Sequence, residues 1–219
     1  MEKTITVKGT GKATAKPDLV VLSMNLESRD KEYKKAMDMA SDNIGHLNKT
    51  LEKAGFEKDS VITTDFNVHT EYENIRDKDG SYKNIFKGYV VMHSLKTEFD
   101  FDSELLTKAL SAIGTCLAHP QLSIAFTIKD PTEINEELLR SASENAKRRA
   151  EVLSEASGVK LGELVAIDYN MGKPNVYSNT RYNVADEALG APMLMAKSIS
   201  IQPDDIKLTD TVTFVWKIE

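Results

Sequence analysis

Residues 5–28 read ITVKGTGKATAKPDLVVLSMNLES, and how the two glycines are read decides the fold. Ile5 to Val7 alternate as a strand does, and a glycine-lysine pair follows. A phosphate-binding loop has G-x-x-x-x-G-K-[ST] and then a helix. Here Ala13 follows Lys12 where the metal-binding hydroxyl belongs, and Thr6 stands where the first glycine belongs. Pro17 opens another strand instead of continuing a helix. The glycines are therefore expected to form a turn or bulge between two strands.

Downstream of Pro17 the pattern is regular. Val20, Leu22, Met24 and Leu26 share one face of a strand over 18–27. Further strands are expected over 61–72, 85–99, 122–128, 163–169 and 206–218. Helical spacing marks 30–54 (Tyr33, Met37, Ala40, Ile44, Leu47, Leu51), which Gly55 stops, and 103–113, closed by Gly114. A third helix over 131–157 opens with Asp130 as N-cap, Pro131 at its first position and a Glu133 capping box. Its buried stripe is alanine-rich. The order from 18 to 129 is strand–helix–strand–strand–helix–strand, that of a ferredoxin-like unit. The expected class is α+β: a βαββαβ subdomain over 18–130, and a discontinuous αβ subdomain from 1–17 plus 131–219. The latter carries a long loop, 171–205, and needs the first strand to pair with the late ones.

The 219 residues carry a net charge of −6 and 41% hydrophobic residues, so no global basic field recruits nucleic acid. No apolar run is long enough to span a membrane. The start, MEKTITVKG, lacks an apolar signal segment, so the expected location is cytoplasmic, with export as the alternative if a leader was removed.

The order of motifs resembles the SIMPL-domain family. ITVKGTGKATAKPDLVVLSMNLES is similar to the family's opening I-T-V-x-G-x-G, then P-D and an alternating strand. DSVITTDFNV (59–68), KGYVVMHSLKTEF (87–99), AKRRAEVLSEASGVKLGEL (146–164) and IQPDDIKLTDTVTFVWKIE (201–219) follow in the family's order. The resemblance implies a two-part α+β fold, self-assembly into higher oligomers, a bacterial and possible stress-related setting, and no agreed enzymatic activity.

Chemistry-bearing residues are sparse. His46, His69, His93 and His119 form no chelating pair, and the single cysteine, Cys116, has no patterned partner. DKDG (77–80) lacks two ligands of a calcium loop and reads as a hairpin turn. KRR (147–149) reads as a solvated helix face. No catalytic, cofactor-binding or metal-binding residue is assigned, and no cofactor is expected. Two features point to protein contact. Val90 and Met92 make their strand apolar on both faces, so something must cover it. The loop 171–205 holds Tyr177, Arg181, Tyr182, Met193, Leu194 and Met195, types enriched in interface cores. The expectation is a non-enzymatic homo-oligomeric assembly or adaptor protein whose other protein partner is unnamed. The alternative is a small-ligand or peptide binder using a crevice between the subdomains.

Overall fold

The computed structural model of the chain describes residues 3–76, 82–170, 172, 175–184 and 201–219. Among them are three helices and two antiparallel sheets. The elements are β1 (Thr4–Ala15), β2 (Leu19–Asp30), α1 (Tyr33–Ala54), β3 (Ile62–Arg76), β4 (Tyr82–Asp100), α2 (Ser103–Gly114), β5 (Gln121–Thr127), α3 (Thr132–Ala156), β6 (Leu161–Asp168), β7 (Tyr177–Val184) and β8 (Ile206–Ile218). The chain forms two compact units. One comprises Met1–Asp18, Thr127–Asn179 and Pro203–Glu219; the other comprises Leu19–Phe126 and Thr180–Gln202.

The first unit holds a three-stranded sheet in the order β1-β8-β6. β1 runs antiparallel to β8 from Thr4 opposite Lys217 to Ala15 opposite Ile206, with no register shift. The expected glycine turn is thus absent. Gly9 faces Val212 and Gly11 faces Asp210 within one continuous 12-residue strand. The physical reason lies above the sheet. A Cβ on Gly9 would stand 2.0 Å from the Ala142 carbonyl oxygen, and one on Gly11 would stand 2.1 Å from that of Leu138. The glycines let the backbone of α3 lie against the backbone of β1. Ala142, Ala146 and Ala150 complete the close approach from the helix side and pack with Val7, Val212, Phe214 and Trp216.

α3 also closes the outer edge of β1. The Lys12 amide donates to Ser141 Oγ (3.1 Å), the Thr10 amide donates to Asn145 Oδ1 (3.0 Å), and Arg149 Nη1 donates to the Lys8 carbonyl (2.9 Å). These helix residues are spaced by four and their strand partners by two. Four helical residues rise about 6 Å and two strand residues about 6.6 Å, so the spacings match. Lys147, Arg148 and Arg149 are exposed, in keeping with the solvated reading of KRR, and Arg149 in addition reaches the strand. α3 starts at Thr132, one residue later than expected, with Pro131 at the cap position and the Asp130 carboxylate accepting from the Thr132 amide (3.0 Å).

The second unit carries a five-stranded sheet in the order β3-β4-β2-β5-β7. Its core gathers Val20, Leu22, Met24 and Leu26 of β2 with Leu95, Ile124 and Phe126, beneath Leu47 and Leu51 of α1 and Leu106, Leu110 and Ile113 of α2. Asp102 caps α2 by accepting from the Glu104 and Leu105 amides. Gly55, at φ 107°, closes α1 as expected. One expectation is corrected. The segment 171–205 includes β7, a strand, since alternation is hard to read among its polar residues. The apolar side chains Ile62, Phe66 and Tyr72 of β3 are exposed. α1 packs mainly on β2 and β4, and Val68 of β3 is partly buried against the cluster of Ala36, Ala40 and Val91.

Candidate functional site

β2 ends at Asp30, opposite Tyr89 of β4. β3 and β4 continue past it, pairing from Tyr72 opposite Phe86 to Arg76 opposite Tyr82. Residues 71–76 and 82–87 thus form a two-stranded arm with no third strand beside it among the described residues. Gly88 sets the departure point. It lies at φ 155°, and a Cβ there would sit 2.6 Å from the Asp30 carbonyl oxygen. A register shift between Glu71 and Tyr72 adds a local twist at the same level.

The arm is apolar on both sides. Tyr72, Ile75, Tyr82, Ile85 and Phe86 are 56%, 42%, 71%, 47% and 38% exposed. At the base, edge-to-face ring contacts run in series: Tyr72–Phe86 at 5.7 Å, Phe86–Tyr89 at 5.4 Å and Tyr89–Tyr33 at 5.5 Å. Charges brace the same level. The Arg29 guanidinium donates from Nη1 to both carboxylate oxygens of Glu71 (2.9 and 2.8 Å) and from Nε to Glu27. Lys87 pairs with Glu73. Glu27 first, and then Glu71, hold the Arg29 pKa above its ordinary value, and Glu73 raises that of the Lys87 amine. Arg29, Glu71, Tyr72, Glu73, Lys87 and Tyr89 line a cavity of about 640 Å³ together with Asp30, Lys31 and Gly88. A smaller cavity of about 330 Å³ lies among Asn25, Glu27, Asn43, Met92, His119 and Gln121.

The residues singled out from the sequence do not converge. Val90 is buried, flanked in register by Arg29 and His69, and Met92 is partly buried at the smaller cavity. Tyr177 and Arg181 are exposed on β7, whereas Tyr182 packs partly buried against the core of the second unit. Met193, Leu194 and Met195 lie outside the described residues, as does DKDG (77–80). Among the described residues no group of three His, Cys, Asp or Glu side chains is placed to hold a metal ion. Cys116 is buried and accepts from Thr50 Oγ1 at 3.6 Å. His93 contacts Thr63 Oγ1 through Nε2 at 2.8 Å and Phe66 edge-on at 5.1 Å; burial lowers its pKa.

The arm residues were missed because their apolar alternation reads as an ordinary half-buried hairpin. The available signal was length. The two hairpin strands have 15 and 19 residues, and β2, which pairs with the longer of them, has 12. The excess has no neighbour to lie on.

Residues 5–216 match the SIMPL family, described as protein of unknown function (DUF541). A Brucella melitensis protein named "26 kDa periplasmic immunogenic protein" is 26% identical over 74% of this chain. The match spans 65% of that protein, less than two thirds of its length. A Brucella abortus protein of the same name matches to the same extent. "Uncharacterized protein YggE" of Escherichia coli K12 is 23% identical over 92% of this chain and 79% of its own length.

Proposed function

Starting from the fact that this chain belongs to the SIMPL family, we propose that it is a non-enzymatic assembly or adaptor protein whose homo-oligomer is the functional unit. One observation carries this reading: an arm apolar on both faces, with five large side chains in water. Contiguous exposed apolar surface on a soluble domain marks a contact site. The charged groups at its base are engaged with one another, an arrangement that supports a scaffold better than a reaction centre. Tyr177 and Arg181 extend the reading to the opposite edge of the same sheet, within the segment 171–205.

The strand order β3-β4-β2-β5 supports taking 18–130 as a ferredoxin-like subdomain, because each helix connection skips one intervening strand. The unbroken β1–β8 ladder supports a discontinuous second subdomain from 1–17 plus 131–219. The periplasmic names of the Brucella relatives support export of this chain. No described helix is long and apolar enough to cross a membrane.

Light scattering on the purified chain at tens of micromolar tests the assembly reading. A mass several times that of one chain is expected. A monomer across that range sinks it.

A further inference from the structure

The smaller cavity of the second unit, about 330 Å³, shares no lining residue with the cavity at the arm's base. We propose that it seats a neutral polyhydroxylated molecule of about monosaccharide size. This goes beyond the assembly reading and does not depend on it.

The cavity exists because two neighbouring strands differ in length. β5 has seven residues and β2 has twelve. The two are neighbours in the sheet, and the Asp18 amide donates to the Thr127 carbonyl (3.1 Å) at one end of the pair. β5 therefore begins part-way along β2, and residues 115–120 cross the gap beyond its start. Asn25, Leu26 and Glu27 of β2 all line the cavity, although successive strand side chains point to opposite faces. A space touched by all three meets the edge of the strand. Leu117, Ala118 and His119 close it from the connecting loop.

The loop is held in an uncommon shape at that point. His119 stands at φ 45°, in the left-handed region that residues other than glycine rarely occupy. Its amide donates to the Cys116 carbonyl (3.1 Å), and Ala118 and Pro120 on either side are buried. His119 itself is exposed at the cavity wall. Strained backbone that its surroundings hold in place concentrates at ligand-binding positions. Asn43 is also set from behind. Its Nδ2 donates to the Oγ of Ser28 (3.0 Å), a residue 2% exposed, which fixes the amide and leaves its oxygen to accept.

The chemistry of the wall selects the ligand. Three side-chain amides (Asn25, Asn43, Gln121) and the imidazole offer donors and acceptors together. A hydroxyl does both as well, so a polyol matches this wall better than a ligand that only donates or only accepts. Glu27 is the one carboxylate among the lining residues, and the Arg29 guanidinium donates to it, so no unanswered carboxylate calls for a cation. Met92 and the exposed Leu117 supply apolar contact for the C–H face of a ring. Small-molecule sites run from about 300 to 1,000 Å³, and this one lies at the lower end, which limits the occupant to about one ring.

Saturation-transfer difference NMR on the full chain tests this with D-glucose, D-galactose and N-acetyl-D-glucosamine at millimolar concentration. At least one should give a signal, and D-glucuronate and D-glucosamine, which each bring a charge, should give less. His119→Gly removes the ring yet suits the left-handed backbone. It should lower the sugar signal by about fivefold, the worth of one hydrogen bond, without lowering the thermal midpoint. Asn25→Val, at an exposed strand position, should lower the signal too and serves if the first variant folds poorly. No signal from any of the three neutral sugars overturns the proposal. A larger signal from glucuronate or glucosamine overturns the neutral class. A signal that survives in both folded variants puts the sugar elsewhere and overturns the site. A monomeric wild type that binds the sugar and loses it in the variants sinks the assembly reading and upholds this one.

Discussion

β1 and β3 are both long edge strands, and the chain treats them in opposite ways. Along β1, Ser141, Asn145 and Arg149 meet the outward backbone groups of Lys12, Thr10 and Lys8, so a helix stands in for the missing strand. Along β3 no described side chain from another element takes that role on the arm, and large apolar groups lie open. Sealing an edge prevents unwanted pairing. Among the described residues, one edge is sealed by a three-residue ladder and the other is not.

The sharpest way to break the contrast is at the glycines that bring α3 onto β1. Gly9→Ala places a methyl group 2.0 Å from the Ala142 carbonyl oxygen, where backbone must move. A loss of roughly 3 kcal/mol is expected, read as a lowered urea midpoint at unchanged slope. A midpoint equal to wild type would mean that α3 is not held in this contact. Gly45→Ala serves as the control in α1. Nothing lies within 4 Å of that position, and a gain of up to about 1 kcal/mol is expected.

Unsealing β1 without moving α3 is the next step. Asn145→Ala leaves the Thr10 amide without its partner and should cost about 1–2 kcal/mol. It should also raise concentration-dependent light scattering on mild heating, because β1 then resembles β3. No change in either measurement would show that the helix side chains do not guard the edge.

Inside the open edge, His93 bonds Thr63 and so ties β3 to β4. Burial holds its folded-state pKa below 6.5. The unfolded chain therefore takes up the proton more readily. The stability contributed is full above about pH 6.5 and is lost as pH falls toward the folded-state value. Urea midpoints between pH 7.5 and 5.5 should decline in wild type and decline less in His93→Gln. Equal slopes would acquit the ring.

The smallest effect belongs to the exposed brace at the arm's base. Arg29→Ala removes the bidentate pair with Glu71, yet both side chains are substantially exposed, so at most about 1 kcal/mol is expected. A larger fall in thermal stability that persists at high salt would show the pair to be shielded from solvent.

What the sequence alone determined was periodic and local. Val20, Leu22, Met24 and Leu26 repeat by two and are buried together; Leu47 and Leu51, and Leu106 with Leu110, repeat by four and face the same core. Gly55 ends α1 because one residue must turn left-handed there. The mixed α and β character and the family both followed from such patterns. Tertiary structure decided whatever depends on a second element. Gly9 and Gly11 looked like a turn because the sequence does not say that a helix backbone lies above them. That the exposed Arg149 also bonds the Lys8 carbonyl was not legible, because Lys8 is 141 residues away. Tyr72, Ile85 and Phe86 looked half-buried because alternation reports which side chains share a face, and says nothing of whether anything covers it. Period is a property of the chain, whereas coverage is a property of its neighbours.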